Sequence, residues 1–139
     1  MGKKRIVLDT NILISAFGWK GNPYRILNLV IDQNFELIIS QKQIEELRRV
    51  LTYPRLKITQ EQQSRFLNLV LNIAIVVKTN DRLNIIKEDP SDNIILESAA
   101  DNDVEYLISG NKHLLKIKKF ENVKIMTAAQ FLSFIKDKF

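Results

Sequence analysis

Cysteine is absent from the 139 residues of this chain, and histidine occurs once. The missing thiols exclude disulfides, thiolate metal sites and thiol nucleophiles together, and they fit a reducing cytoplasm. No apolar run approaches the ~20 residues needed to span a bilayer. The charged N-terminus lacks the apolar stretch and small-residue cleavage site of a secretory signal. Neither G-x-G-x-x-G nor G-x-x-x-x-G-K-[ST] occurs, so dinucleotide and Walker-type phosphate sites lack their fingerprints. There is no internal repeat, low-complexity tract or linker. Length and texture together imply one domain over residues 1–139.

What is present is an ordinary globular composition, 45% hydrophobic and 27% charged, with a basic excess: 21 Lys and Arg against 16 Asp and Glu, a formal charge of +5. A basic domain suits a polyanionic partner, although a solvated basic surface has the same composition.

Short, continuously apolar runs alternate with amphipathic segments. Strands are expected at Arg5–Leu8, Phe35–Ile39, Ile73–Val77, Tyr106–Ser109 and Val123–Met126. Asn22 and Pro23 open a first helix as cap and first helical residue. Ser40 with Gln43, Thr59 with Gln62, and Thr127 with Gln130 have the spacing of capping boxes. Asp89 and Pro90 start a helix through about Ala100, and a short turn holds Leu114 and Leu115. Strands apolar on both faces with helices between them belong to a parallel sheet covered on two sides, an α/β fold.

In such a sheet ligands sit beyond the carboxyl ends of the strands. Asp9 lies just past the first strand, and Ser109, Gly110 and Asn111 lie just past the fourth. Asp-Thr-Asn is also ordinary turn or cap chemistry. On the helix after Ser40, the apolar face of Ile44, Leu47, Val50 and Leu51 is centred roughly 110° from Glu46 and roughly 150° from Glu45 at 100° per residue. Glu46 therefore flanks the buried stripe and Glu45 faces solvent. Asp92 falls in a first helical turn on the face of Ile95, Leu96 and Ala99, where it could also simply complement the helix dipole. Several inward-leaning carboxylates with few inward cations cannot all stay ionised unaided. A hard divalent cation with oxygen ligands would resolve this, and it would bring substrate phosphate with it.

The stretches "IVLDTNILISA", "ELIISQKQIEELRRVL", "EDPSDNIILESA", "EYLISGNKHLL" and "VKIMTAAQFL", in that order, resemble the PIN-domain family over nearly the whole chain, in particular its small single-domain toxins of toxin–antitoxin systems. The resemblance implies a three-layer α/β/α fold with a parallel sheet of order 3-2-1-4-5. It implies Mg²⁺- or Mn²⁺-dependent endoribonuclease activity on RNA, a homodimer or higher homo-oligomer, an antitoxin protein as partner, and no membrane. Asp9, Glu46 and Asp92 match the family's metal-binding acids, and Asn11 and Ser109 match polar residues lining the site. Where the family has an acid after strand four, this chain has Asn111, and His113 does not restore it. One negative charge is lost there, which leaves open a catalytically weakened or inactive module that binds RNA or protein without cutting. Asp101, Asp103 and Glu105 are expected at the far end of strand four and so do not substitute.

Two further features invite attention. Trp19, Lys20, Tyr24 and Arg25 form a loop expected beside the site, where they could stack bases and contact phosphates or pack on a partner. His113, the lone histidine, suits a surface turn better than a catalytic base.

Overall fold

The computed structural model describes residues 2–136. Its centre is a six-stranded sheet of order β3-β2-β1-β4-β6-β5. The strands are β1 (Arg5–Leu8), β2 (Glu36–Ser40), β3 (Ala74–Val77), β4 (Val104–Ile108), β5 (Lys119–Phe120) and β6 (Val123–Met126). All neighbours are parallel except β5, which pairs antiparallel with β6 at the edge. The expected order 3-2-1-4-5 is therefore present, with β6 as its last member and β5 added outside it.

Apart from Val104, which an irregularity at the start of β4 turns to the other face, the apolar strand residues split by parity, as side chains alternate across a sheet. Ile6, Leu8, Leu37, Ile39, Tyr106 and Ile108 enter one buried cluster. Val7, Ile38 and Leu107 enter another on the opposite face. Helices α1 (Thr10–Gly18), α2 (Asn22–Ile31), α3 (Gln41–Leu51), α4 (Gln60–Ile73) and α7 (Ala128–Lys136) supply the first cluster. Helices α5 (Pro90–Ala100) and α6 (Lys112–Leu115) supply the second. The result is the expected α/β/α layering.

Local signals are mostly used as read. Thr59–Gln62 and Thr127–Gln130 form reciprocal capping boxes. Three expectations are corrected. Helix α2 is capped by Gly21 and not by Asn22, which lies one step inside the helix, so Pro23 is second and not first. Ser40 caps α3 by accepting from the Gln43 N–H at 3.0 Å. The Gln43 side chain does not return the bond: its Nε2 donates to the Leu8 carbonyl at 2.7 Å, because that carbonyl ends β1 beside it in the interior. Finally, helix α1 begins directly after Asp9, in a stretch that the sequence left without an element.

No helix among the described residues is long and apolar enough to cross a membrane.

Candidate metal-binding cleft

Strand order reverses between β1 and β4, which are neighbours with Leu8 opposite Ile108. Their carboxyl ends deliver Asp9 and Ser109 side by side. The Asp9 N–H bonds the Ile108 carbonyl at 3.1 Å, so the turn carrying the acid continues the sheet's own ladder. Asp9 is also the cap of α1: its Oδ1 accepts from the Ile12 N–H at 3.0 Å. The Ser109 hydroxyl donates to its Oδ2. Cap and site residue are one and the same here.

Glu46 comes from α3 and is half-buried, while Glu45 is exposed, as the helical phase requires. The Thr10 hydroxyl, in the first turn of α1, donates to Glu46 Oε1. Asp92 comes from the first turn of α5 and is only 5% exposed. Asn111 caps α6: its Oδ1 accepts from the His113 N–H at 2.8 Å. Its Nδ2 donates to Asp92 Oδ2 at 3.1 Å, and its N–H bonds Ser109 Oγ at 2.9 Å. Asn111 thus presents an amide donor toward the acids, its carbonyl being occupied by the helix.

Asp9, Asn11, Glu46, Asp92 and Asn111 line one cleft of about 90 Å³. Ser109 lies behind it, fully buried, holding Asp9. Asp89, Ser91 and Thr10 also line the cleft, and the sequence did not single them out for it. Asp89 was legible only as the α5 cap. Its Oδ1 does take the Ser91 N–H at 3.0 Å and the Ser91 hydroxyl at 2.7 Å. Four carboxylates (Asp9, Glu46, Asp89, Asp92) meet there, and no lysine or arginine among the described residues lines the cleft.

Electrostatics follow from that composition. Burial is the main force raising the Asp9 pKa above the usual aspartate value, and the Glu46 charge adds to it. Hydrogen bonds from Ser109, Ile12 and Asn11 pull the other way. Asp92 is pushed up to about 6, first by burial, then by the charges of Asp89 and Asp9, with His113 opposing.

Other expectations are sorted by the same geometry. Asp101, Asp103 and Glu105 flank the amino end of β4, away from the cleft. Asp101 pairs with Arg82 at 2.7 Å and Glu105 with Lys4 at 3.4 Å. His113 stands outside the cleft lining, 3.9 Å from Glu88. Trp19 is not beside the site, as expected, but past the far end of α1, about 14 Å along the axis from Asp9 at 1.5 Å per residue. It lines a separate groove with Phe17, Leu56 and Ile58.

Does the donor set fit a divalent metal? Its oxygens and unrelieved charge suit Mg²⁺ or Mn²⁺, which take one or two carboxylates and keep several waters. Among the described residues, no three Asp, Glu or His side chains are gathered closely enough to hold an ion by themselves. The fit is therefore to a water-rich ion on two carboxylates, not to a closed cage.

A parallel α/β/α sheet with an acidic cleft at its topological switch point defines the class. This chain belongs to the PIN-domain family, whose model, described as "PIN domain", matches residues 5–113. PIN domains are generally nucleases. Among solved structures, it resembles the crystal structure of VapBC2 from Rickettsia felis bound to a DNA fragment from their promoter. The TM-score is 0.61 at 20% identity, over 87% of this chain and 96% of that chain, a likeness of fold. A search of curated proteins finds no match to this chain.

Proposed function

We propose that this protein is a Mg²⁺- or Mn²⁺-dependent endoribonuclease acting in the cytoplasm. The observation that carries the reading is the convergence of Asp9 from the end of β1, Glu46 from α3 and Asp92 from α5 on one cleft that no lysine or arginine among the described residues lines. Asp9, Glu46 and Asp92 are the acids from which such an ion would draw its one or two carboxylates, water completing its shell. A divalent cation there would polarise a phosphodiester and lower the pKa of an attacking water. Ser109 and the α1 backbone fix the Asp9 carboxylate, and Thr10 fixes that of Glu46, so both are oriented before substrate arrives. Asn11, in the first turn of α1, offers the cleft a neutral amide. The basic excess over the whole chain supports a polyanionic substrate, as RNA is.

The fold likeness to a VapBC complex supports a toxin role with an antitoxin partner, while a homodimer or higher homo-oligomer is what the family resemblance alone implies. A second reading rests on Asn111. Its amide spends a proton on Asp92 where a carboxylate would add charge, which favours a module that binds RNA or protein without cutting.

Wild type, Asp9→Asn and Asn111→Asp incubated with structured RNA, in Mn²⁺ and in EDTA, separate the two. Cleavage that requires both metal and Asp9 supports the nuclease. Equal cutting by wild type and Asp9→Asn overturns it. Silence from wild type, with activity gained in Asn111→Asp, supports the binding module.

A further inference from the structure

Residues 111–119 run from the lip of the acidic cleft to the edge of the sheet, and they hold four lysines and no acid. We propose that Lys112, Lys116, Lys118 and Lys119 form a track for the RNA that flanks the cleft, one strand held by its phosphates and not by its bases. The inference rests on RNA as the polyanion of the proposed function.

The track starts at the cleft. Asn111 lines it, and Lys112 is the next residue. Lys112 and Lys116 are four positions apart on α6 and its cap, so they share a face. Lys119 opens β5, the edge strand. Three inter-strand steps separate β5 from β1, whose end carries Asp9, about 14 Å at ~4.8 Å per step. A strand leaving the cleft on this side meets lysine over that whole distance.

Their charge is unrelieved. All four are exposed, and none forms a salt bridge among the described residues. Glu88 faces the strip, 3.9 Å from His113 and within reach of the Lys116 charge. Lys119 stands directly opposite Lys124 in the β5–β6 register. Like charges so placed repel across the ladder. Lys124 lies over the Phe134 ring, 5.6 Å from its centroid, and Lys119 has no such contact among the described residues. A chain of phosphates along this edge would neutralise what the fold leaves charged.

The surface favours RNA over an acidic protein. Among the described residues, the exposed large hydrophobic side chains, such as Trp19, Ile75, Val76 and Ile85, all lie outside residues 111–126. A protein interface is apolar at its core and depleted in lysine, whereas phosphate contacts need only the cations. No exposed aromatic stands there to stack a base, so the track senses charge and not sequence.

The test measures binding of a single-stranded RNA oligonucleotide of mixed sequence to the full chain in EDTA, by fluorescence anisotropy over a KCl series. The strip variant combines Lys112→Gln, Lys116→Gln, Lys118→Gln and Lys119→Gln. A control of equal net charge combines Lys3→Gln, Arg55→Gln, Lys57→Gln and Arg65→Gln, all exposed and on other elements. Each phosphate neutralised on a single strand contributes ~0.7 to the slope of log K against log salt. We expect the strip variant to lose about 2–3 from the wild-type slope and the control less than about 1. Should the fourfold variant fail to fold, Lys112→Gln with Lys116→Gln should lose about 1.4. Equal slopes in strip variant and control, or RNA that wild type does not bind, would overturn the track. The two readings fail separately. Metal-dependent RNA cleavage, with the slope unchanged in the strip variant, sinks the track alone. A slope lost in the strip variant of a chain that never cuts RNA sinks the nuclease alone.

Discussion

Asp92 carries an electrostatic cost that His113 and the Asn111 amide relieve only in part. Its carboxyl titrates near 6 when folded and would titrate near 3.8 when free. The group is thus more easily protonated in the native state. Its contribution is neutral below the unfolded value, grows unfavourable as pH rises from about 4 to 6, and stays so above that. At neutral pH the deficit approaches about 3 kcal/mol, less the ~0.3–1 kcal/mol that a charge gains at a helix N-terminus. Asp92→Asn keeps an oxygen for the Asn111 amide and removes the charge. In EDTA at pH 7.5 the variant should be more stable than wild type by about 1–3 kcal/mol, and the gain should vanish near pH 4. Urea unfolding at both pH values measures this; a variant less stable than wild type at pH 7.5 would contradict the account.

Elements show where the sequence was legible and where it was not. Five strands and the caps at Thr59, Asp89 and Thr127 follow from runs and spacings that lie in the chain itself. Helix α1 did not, because Thr10, Ile12, Leu13, Ile14 and Ala16 are all buried and leave no polar stripe to reveal a helical period. Missing α1 is also why Trp19 was expected beside the cleft. Strand β5 is two residues long and exists only through its pairing with β6. Of the cleft, Asp9, Glu46 and Asp92 were legible from strand ends and helical phase. Thr10 was not, since its bond to Glu46 spans thirty-six positions of chain. Glu97 was invisible for a similar reason. On α5 it reads as an ordinary acid, yet it is 1% exposed and takes the N–H groups of Asn80, Arg82 and Leu83 at 2.6, 2.5 and 2.9 Å. It pins the segment after β3 onto α5, and charge-assisted bonds of this kind are worth ~1.5–3 kcal/mol each in favourable cases. Glu97→Ala should cost about 3 kcal/mol and make residues 78–83 the first site of limited proteolysis. A protease pattern unchanged from wild type would show that the segment is held by other contacts.

At the scale of the molecule, a chain of net charge +5 concentrates four carboxylates in one small cleft. Distance and salt act differently on those two features. The basic excess acts over nanometres and attracts a polyanion, so affinity for RNA, the proposed substrate, should fall steadily with added KCl as the release of condensed counterions becomes less favourable. The cleft acts at contact, and its repulsion is stored in the fold. Anything that neutralises it there stabilises the whole chain by mass action: at ten times the dissociation constant the gain is about 1.4 kcal/mol. For a domain of this size that corresponds to a rise in Tm of about 3–6 °C. Mn²⁺ should therefore raise the melting temperature of wild type by several degrees, and Ca²⁺ or Mg²⁺ should do so at higher concentration. Asp9→Asn combined with Asp92→Asn should start higher in EDTA and respond little, because the repulsion and two of the three proposed ligands are gone. The comparison needs no substrate and no turnover, so it reads the metal site whether or not Asn111 has silenced the chemistry. An equal Mn²⁺ response in wild type and the double variant would place the ion elsewhere on the protein and remove the physical basis for a metal-dependent nuclease in this cleft.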